Sequence, residues 1–393
     1  MLARAFAPRA SVVAQGLAGV QPKAKRATLR GLALLLLASQ ALACKPHESP
    51  AKAQESRKAE ATPAARPGPF PAKAPLYERD RKLMGTIFRI AVASAPASRC
   101  QKPVDEAFEE IARLETLLSE WLPSSDISRI NAAAGKAPVR VGPEAIAVVK
   151  KGLEISKLSQ GAFDLSWAAL RQVYLFEPGK TQAPDPEFIR QRLALVRWQD
   201  VKVDEKKQRV FLKRRGMAIG TGGIAKGYAL DRAAEMLDAT GLEQYMLFAG
   251  GQVQVRGMRG DRPWRVGIQH PRKNDYFAFF EATSGSISTS GDYEHSFVDD
   301  KGKHWHHIID PRTGLPVEKM ASVTLITKRG IDADALSTAS FVLGPQKAMA
   351  MLAKEGSAEA VLVDTDLRVH ITPGTEKRLI FTKALQAGDR LPP

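Results

Sequence analysis

The 393-residue sequence predicts an α+β fold with a mostly antiparallel sheet and flanking helices, and three observations carry that expectation. Apolar residues recur at strand spacing in some segments and at helix spacing in others. These segments follow one another irregularly, without the strand–helix–strand beat of a parallel sheet. Hydrophobic content of 44% with 25% charged residues matches an ordinary globular protein. The length allows two average domains or one large one, and no internal repeat divides it. We expect a leader over residues 1–43, a linker over 44–75 and one folded domain over 76–393.

The leader has recognisable parts. Lys23, Lys25, Arg26 and Arg30 precede the apolar run Leu32 to Leu37, and small residues lead to Ala43 and Cys44. A basic flank, a short apolar core and small residues before a cut describe a secretory signal rather than a spanning helix. Cys44 resembles a bacterial lipidation site, although Ala41 replaces the more usual Leu. Plain cleavage after Ala43 is the alternative. The following residues are rich in Pro, Ala, Lys and Glu without apolar periodicity, a composition that favours an extended tether. The expectation is a lipid-anchored protein facing the periplasm. If Cys44 is acylated, Cys100, the other cysteine, is left as a buried or free thiol.

The net charge of +16 has a local origin. Residues 1–82 carry 15 Lys and Arg against 5 Asp and Glu, so most of the excess lies in the leader and linker. A nucleic-acid partner is not expected, because that would need clustered charge on a folded surface.

The folded elements come in order. Leu83 to Ala93 reads as a strand. Val104 to Trp121 reads as a helix, with Phe108, Ile111, Leu114, Leu117 and Leu118 at helical spacing. Pro143 opens a second helix, where its missing N–H costs little. Strand-like runs follow at 201–203, 208–212, 246–248, 253–256, 264–268, 277–282, 323–327 and 360–363. A further helix is expected over 228–240.

Three segments carry chemistry. The first, Gly220 to Ala225, satisfies a GxGxxA pattern, but Lys213 to Gly216 interrupt the preceding strand that a Rossmann site needs. It is not a Walker loop either, since Gly227 follows Lys226. What remains is a glycine turn at a helix start with free N–H groups and one Lys, a combination that suits a pyrophosphate. A plain strand-to-helix turn is the competing reading. The second is Asp334 and Thr338, four apart and on one face of a helix. A carboxylate and a hydroxyl suit Mg2+, which takes few protein carboxylates plus phosphate oxygens and water. Alternatively, Asp332 simply caps an apolar helix. The third is His304-Trp-His306-His307 before Asp310-Pro-Arg-Thr-Gly314, which reads as a turn. No further Cys or His cluster completes a tetrahedral zinc site. In a strand, His304 and His306 share one face and His307 takes the other. Histidine suits proton abstraction near neutral pH.

AIGTGGIAKGYALD (Ala218 to Asp231), HHIIDPRTG (His306 to Gly314) and DADALSTA (Asp332 to Ala339), in that order behind Met84-Gly-Thr86, resemble the ApbE family of FAD:protein FMN transferases. The resemblance runs from about Met84 into the C-terminal region. It implies a Mg2+-dependent enzyme that moves FMN from FAD to a Ser or Thr of a flavoprotein subunit in a membrane redox complex, releasing AMP. It implies Mg2+ ligands at Asp334, Thr338, Ser337 (through its carbonyl) and the Gly223 carbonyl, and a catalytic base at His307. It places FAD contacts at Met84, Trp121 (where Tyr is usual), Ala162, Phe163, Asp164, Lys226 and Ile308. The segment Ser290 to Glu294 matches as well. There are departures. Gly220 stands where the family has an Asp that contacts the flavin nucleotide, and Phe248 and Gln252 replace an Asn and an Asp. The losses at Gly220 and Gln252 keep a non-catalytic FAD-binding lipoprotein in view, and an FAD pyrophosphatase, with water in place of the protein hydroxyl, is the other alternative.

Overall fold

A computed structural model describes residues 75–174, 183–294, 296–382 and 388–392. Cys44, the leader and nearly all of the linker lie outside these residues. The α+β expectation holds. Eight strands form the main sheet in the order Leu76–Leu83, Thr86–Ala93, Tyr245–Ala249, Gln252–Arg256, Ser284–Gly291, Met320–Thr327, Glu359–Asp364 and Val369–Ile371. Every neighbouring pair is antiparallel.

Side-chain alternation along these strands creates two cores. Phe88, Ile90 and Val92 face a helical layer, together with Leu247, Val323, Leu325 and Leu362. Ala91, Ala93, Val253, Val255, Ile287 and Val363 face a second sheet, meeting Trp264, Ile268 and Phe280. That second sheet orders strands Leu379–Phe381, Tyr276–Ala282, Arg262–Gln269 and Met258–Arg259.

Seven α-helices occur among the described residues: α1 (Ala97–Leu118), α2 (Asp126–Ala132), α3 (Pro143–Leu158), α4 (Pro186–Leu193), α5 (Ala225–Ala239), α6 (Gly330–Leu343) and α7 (Pro345–Glu355). α1 begins before the expected Val104 and stops before Trp121, which leaves Glu120 and Trp121 on the following loop. Cys100 is fully buried in α1, and its burial pushes the thiol pKa up.

Two boundaries differ from expectation for physical reasons. The run 83–93 is not one strand. Met84 and Gly85 take positive φ of 48° and 76°, and Leu83 pairs with Thr86, making a two-residue hairpin turn. The strand before it, LYERDRKL, is an edge strand whose charges hide its β character. The helix around Asp334 is capped, but not by Asp332. Asp231, reaching across from α5, accepts from the N–H groups of Gly330 and Ile331 at 2.6 and 3.1 Å. Asp332 sits in the first turn and pairs with Lys151 at 3.1 Å.

Candidate active site

The site is assembled where α5 and α6 come together. A Cβ added to Gly227 would lie 2.0 Å from the Gly330 carbonyl oxygen, and one on Gly330 would lie 2.4 Å from the Gly227 oxygen. Only glycine at both positions lets the backbones approach so closely. The approach brings Asp334 of α6 against the start of α5, where its Oδ2 accepts from Gly227 N–H at 3.0 Å. Its Oδ1 lies 3.6 Å from Lys226 Nζ, and Lys226 also donates to the Gly222 carbonyl at 2.8 Å.

Thr338, one turn after Asp334, borders the glycine turn. A Cβ on Gly223 would lie 3.2 Å from Thr338 Oγ1 and 3.4 Å from the Phe163 ring. The structure therefore brings together Gly223, Lys226, Asp334, Thr338 and Phe163. The N–H groups of Gly222 and Gly223 have no acceptor among the described residues, so the turn keeps donors for an anion. One buried carboxylate with a hydroxyl and a nearby carbonyl is a hard-oxygen set, and it fits a Mg2+ ion that shares its shell with phosphate oxygens and water. No group of three His, Cys, Asp or Glu side chains suited to a metal occurs among the described residues.

The other expected residues divide. The Ser337 hydroxyl is spent on Ser288 and Ser290 of the adjacent strand and on the Asp334 carbonyl. That leaves its backbone carbonyl, within α6, as the group for the role the resemblance implies. Ala162 and Phe163 are buried in the helical core. Asp164 is buried too, but its Oδ1 accepts from the N–H and hydroxyl of Ser166 and its Oδ2 from Trp198 N–H. It starts the 3-10 helix Leu165–Leu170, and burial raises its carboxyl pKa. Phe163 is thus the part of that segment that borders the glycine turn. Met84 sits in the hairpin turn against the core edge.

The histidine run is shaped by His306. It is buried at the end of the strand His304–His306, its Nε2 lies 2.7 Å from the Val317 carbonyl, and its Nδ1 accepts from Ile308 N–H at 3.3 Å. Burial holds its pKa below the usual histidine value. The His304 and His306 rings lie 5.6 Å apart, as a shared strand face requires, and the His306 ring meets Phe341 of α6 edge-on at 5.9 Å. His307 follows at the bend, half-buried, and Ile308 is buried in the same core as Phe163 and Ala335. Asp310 to Gly314 forms the expected turn, closed by Gly314 N–H to the Asp310 carbonyl.

One residue escaped sequence reasoning. Glu120, on the loop after α1, occupies the space beside Gly220. A Cβ there would lie 2.4 Å from Glu120 Oε2. The position where the resemblance leads one to look for an Asp is filled by a carboxylate from elsewhere in the chain. Glu120 pairs with Arg171, whose guanidinium lies 4.6 Å from the centre of the Trp121 ring. Trp121 itself is 72% exposed, an aromatic face open for stacking. These residues line a cavity of about 420 Å³ with Ser128, Asn131, Ala168, Gln172, Arg192 and Ala218. The departure at Gly220 was the signal that could have prompted a search for a substitute. Of the other two departures, Phe248 is 37% exposed, while Gln252 is buried and donates to Ser286 and to the Gly330 carbonyl, bracing the start of α6.

The ApbE family profile matches residues 84–362. The chain is 32% identical over 292 residues to an FAD:protein FMN transferase of Klebsiella pneumoniae (strain 342), covering 72% of this chain and 83% of that protein. It is 31% identical over 321 residues to an FAD:protein FMN transferase of Treponema pallidum (strain Nichols), covering 77% and 88%. Among solved structures, the ApbE protein of Thermotoga maritima superposes with a TM-score of 0.72 at 31% identity, covering 77% of this chain and 99% of that one. The match over most of the folded region, together with the glycine turn and the α5–α6 contact, shows that the chain belongs to the ApbE family.

Proposed function

We propose that this protein is a Mg2+-dependent FAD:protein FMN transferase that attaches FMN through a phosphoester to a Ser or Thr hydroxyl of a partner protein. The observation that carries the reading is the convergence of the Gly222–Gly223 donors, Lys226, Asp334 and Thr338 at one point. Each has a role in holding a pyrophosphate. The free N–H groups and Lys226 bind its oxygens, and the Phe163 ring bounds the turn. Asp334, Thr338 and the Gly223 carbonyl would hold Mg2+, which when bound offsets the charge that builds on the phosphates.

The chemistry balances as a displacement. The acceptor oxygen attacks the FMN phosphorus, a P–O bond forms, and the bond to the AMP phosphate breaks to release AMP. His307 takes the hydroxyl proton as that oxygen attacks. The neighbouring His306, held neutral by burial, keeps the segment fixed through Val317 and Ile308. The acceptor in this reading is a flavoprotein subunit of a membrane redox complex, met on the periplasmic side by an enzyme anchored through Cys44. The test is to mix the full chain with FAD, Mg2+ and acceptor domains and weigh the intact acceptor. An FMN adduct with stoichiometric AMP supports the reading. AMP without an adduct across competent acceptors would replace it with FAD hydrolysis.

A further inference from the structure

The geometry points to Glu120 as a direct FAD-binding residue, its carboxylate accepting a hydrogen bond from a sugar hydroxyl of the dinucleotide. Four observations carry this. First, Glu120 Oε2 stands 2.4 Å from where a Gly220 Cβ would be, so a glycine at 220 is the condition for the carboxylate to reach the turn. Second, the other carboxylate oxygen reaches the same turn: a Cβ on Gly222 would lie 3.8 Å from Glu120 Oε1. It therefore borders the donors suited to the pyrophosphate.

Third, its surroundings are built. Thr221 Oγ1 donates to the Leu118 carbonyl at 2.8 Å, tying the end of α1 to the glycine turn. Asn131 exchanges two hydrogen bonds with the backbone of Ile219, fixing the other side. Fourth, Glu120 and Arg171 line the 420 Å³ cavity together with the exposed Trp121 ring. Arg171 Nε is buried there without a hydrogen-bond partner among the described residues. A carboxylate held beside an aromatic face and an anion-binding turn has the chemistry to read vicinal hydroxyls, as an acidic residue does for ribose in other dinucleotide sites. FAD offers two such sources, the ribose of its AMP half and the ribityl chain of its FMN half.

The inference rests on FAD being the ligand, and its test separates the two. FAD affinity of the full chain is measured by flavin fluorescence for the wild type, Glu120→Gln, Gly220→Asp and the double variant Glu120→Ala/Gly220→Asp, beside the melting temperature of each without flavin. Wild type that does not bind FAD sinks the proposed function. With wild type binding, Glu120→Gln should lose tenfold or more in affinity while its melting temperature stays within about 2 °C. Gly220→Asp should bind poorly because the two carboxylates collide. The double variant should recover most of the loss, since the new side chain then occupies the vacated space beside Arg171. AMP as a competitor assigns the hydroxyl: weakened AMP binding in Glu120→Gln marks the ribose, unchanged AMP binding the ribityl chain. Unchanged FAD affinity in Glu120→Gln overturns the inference. So does a loss matched by a fall in melting temperature and not recovered in the double variant.

Discussion

Asp334 does two jobs with two oxygens, and they predict different losses. Oδ2 holds the Gly227 N–H, while Oδ1 faces Lys226. Asp334→Ala should abolish Mg2+-dependent AMP release, and Asp334→Asn, which can still accept from Gly227, should keep the fold while losing the response to Mg2+. Measuring AMP release against Mg2+ concentration checks this; an unchanged Mg2+ response in Asp334→Asn would sink the metal assignment. His306 predicts a pH effect. Its folded pKa lies below the ordinary value near 6.5, so the unfolded chain takes up the proton first. Its contribution to stability is whole above about pH 6.5 and declines as pH falls towards the folded pKa. Asp231 works the other way lower down, because burial lifts its carboxyl to about 6 and stability is lost as pH rises from about 4 towards 6. The clean readout is therefore the difference in melting temperature between wild type and His306→Gln across pH 5 to 8. That difference should shrink as the pH falls; a gap independent of pH contradicts the assignment. At this scale the sequence was legible where a residue acts through its own type and spacing, as with Asp334 and Thr338. It was opaque where a side chain serves by filling another residue's place, as Glu120 does beside Gly220.

The contact of α5 with α6 sets the geometry of the site, and two substitutions probe it. Gly227→Ala places a methyl 2.0 Å from the Gly330 oxygen and must push the helices apart. We expect a loss of about 1–3 kcal/mol in urea unfolding, the usual cost of overpacking, with a weaker Mg2+ response because Asp334 moves with α6. Asp231→Ala removes both acceptors of the first α6 turn, and a cap of this kind is worth about 0.5–2 kcal/mol. Full stability and full activity in both would show that the contact is not what positions the site. The element record explains what sequence could deliver. Helices with a clear apolar face and strands rich in Val, Ile and Phe were placed within a few residues, except that α1 starts at Ala97, seven residues before the expected Val104. The central strand Ser284–Gly291 was not seen, because SGSISTSG is polar and carries glycines. Its Ser288 and Ser290 face α6 and bond Ser337, so the polar pattern serves a buried network rather than solvent. The charged edge strand Leu76–Leu83 was missed because an edge carries charge by design against pairing.

Across the described region, the two larger sheets and a helical layer bring the glycine turn against α6, and the histidine run packs on the same helix through His306 and Phe341. The fold class was readable because irregular element order excludes a parallel sheet. The cluster of Gly223, Lys226, Asp334 and Thr338 was readable because motif order survives changes at single positions. The layering was not, since nothing local tells a strand that both its faces are covered. The central claim is that this arrangement transfers FMN to protein. The measurement that tests it most directly is intact-mass analysis of an acceptor domain incubated with the full chain, FAD and Mg2+, with AMP followed in parallel. The account predicts an FMN adduct on one acceptor Ser or Thr, with AMP released one for one. It predicts loss of both with EDTA and in Asp334→Ala, and loss of transfer in His307→Ala with FAD binding retained. An adduct formed at an undiminished rate by Asp334→Ala and His307→Ala, or no adduct on any acceptor that related transferases modify, would contradict it.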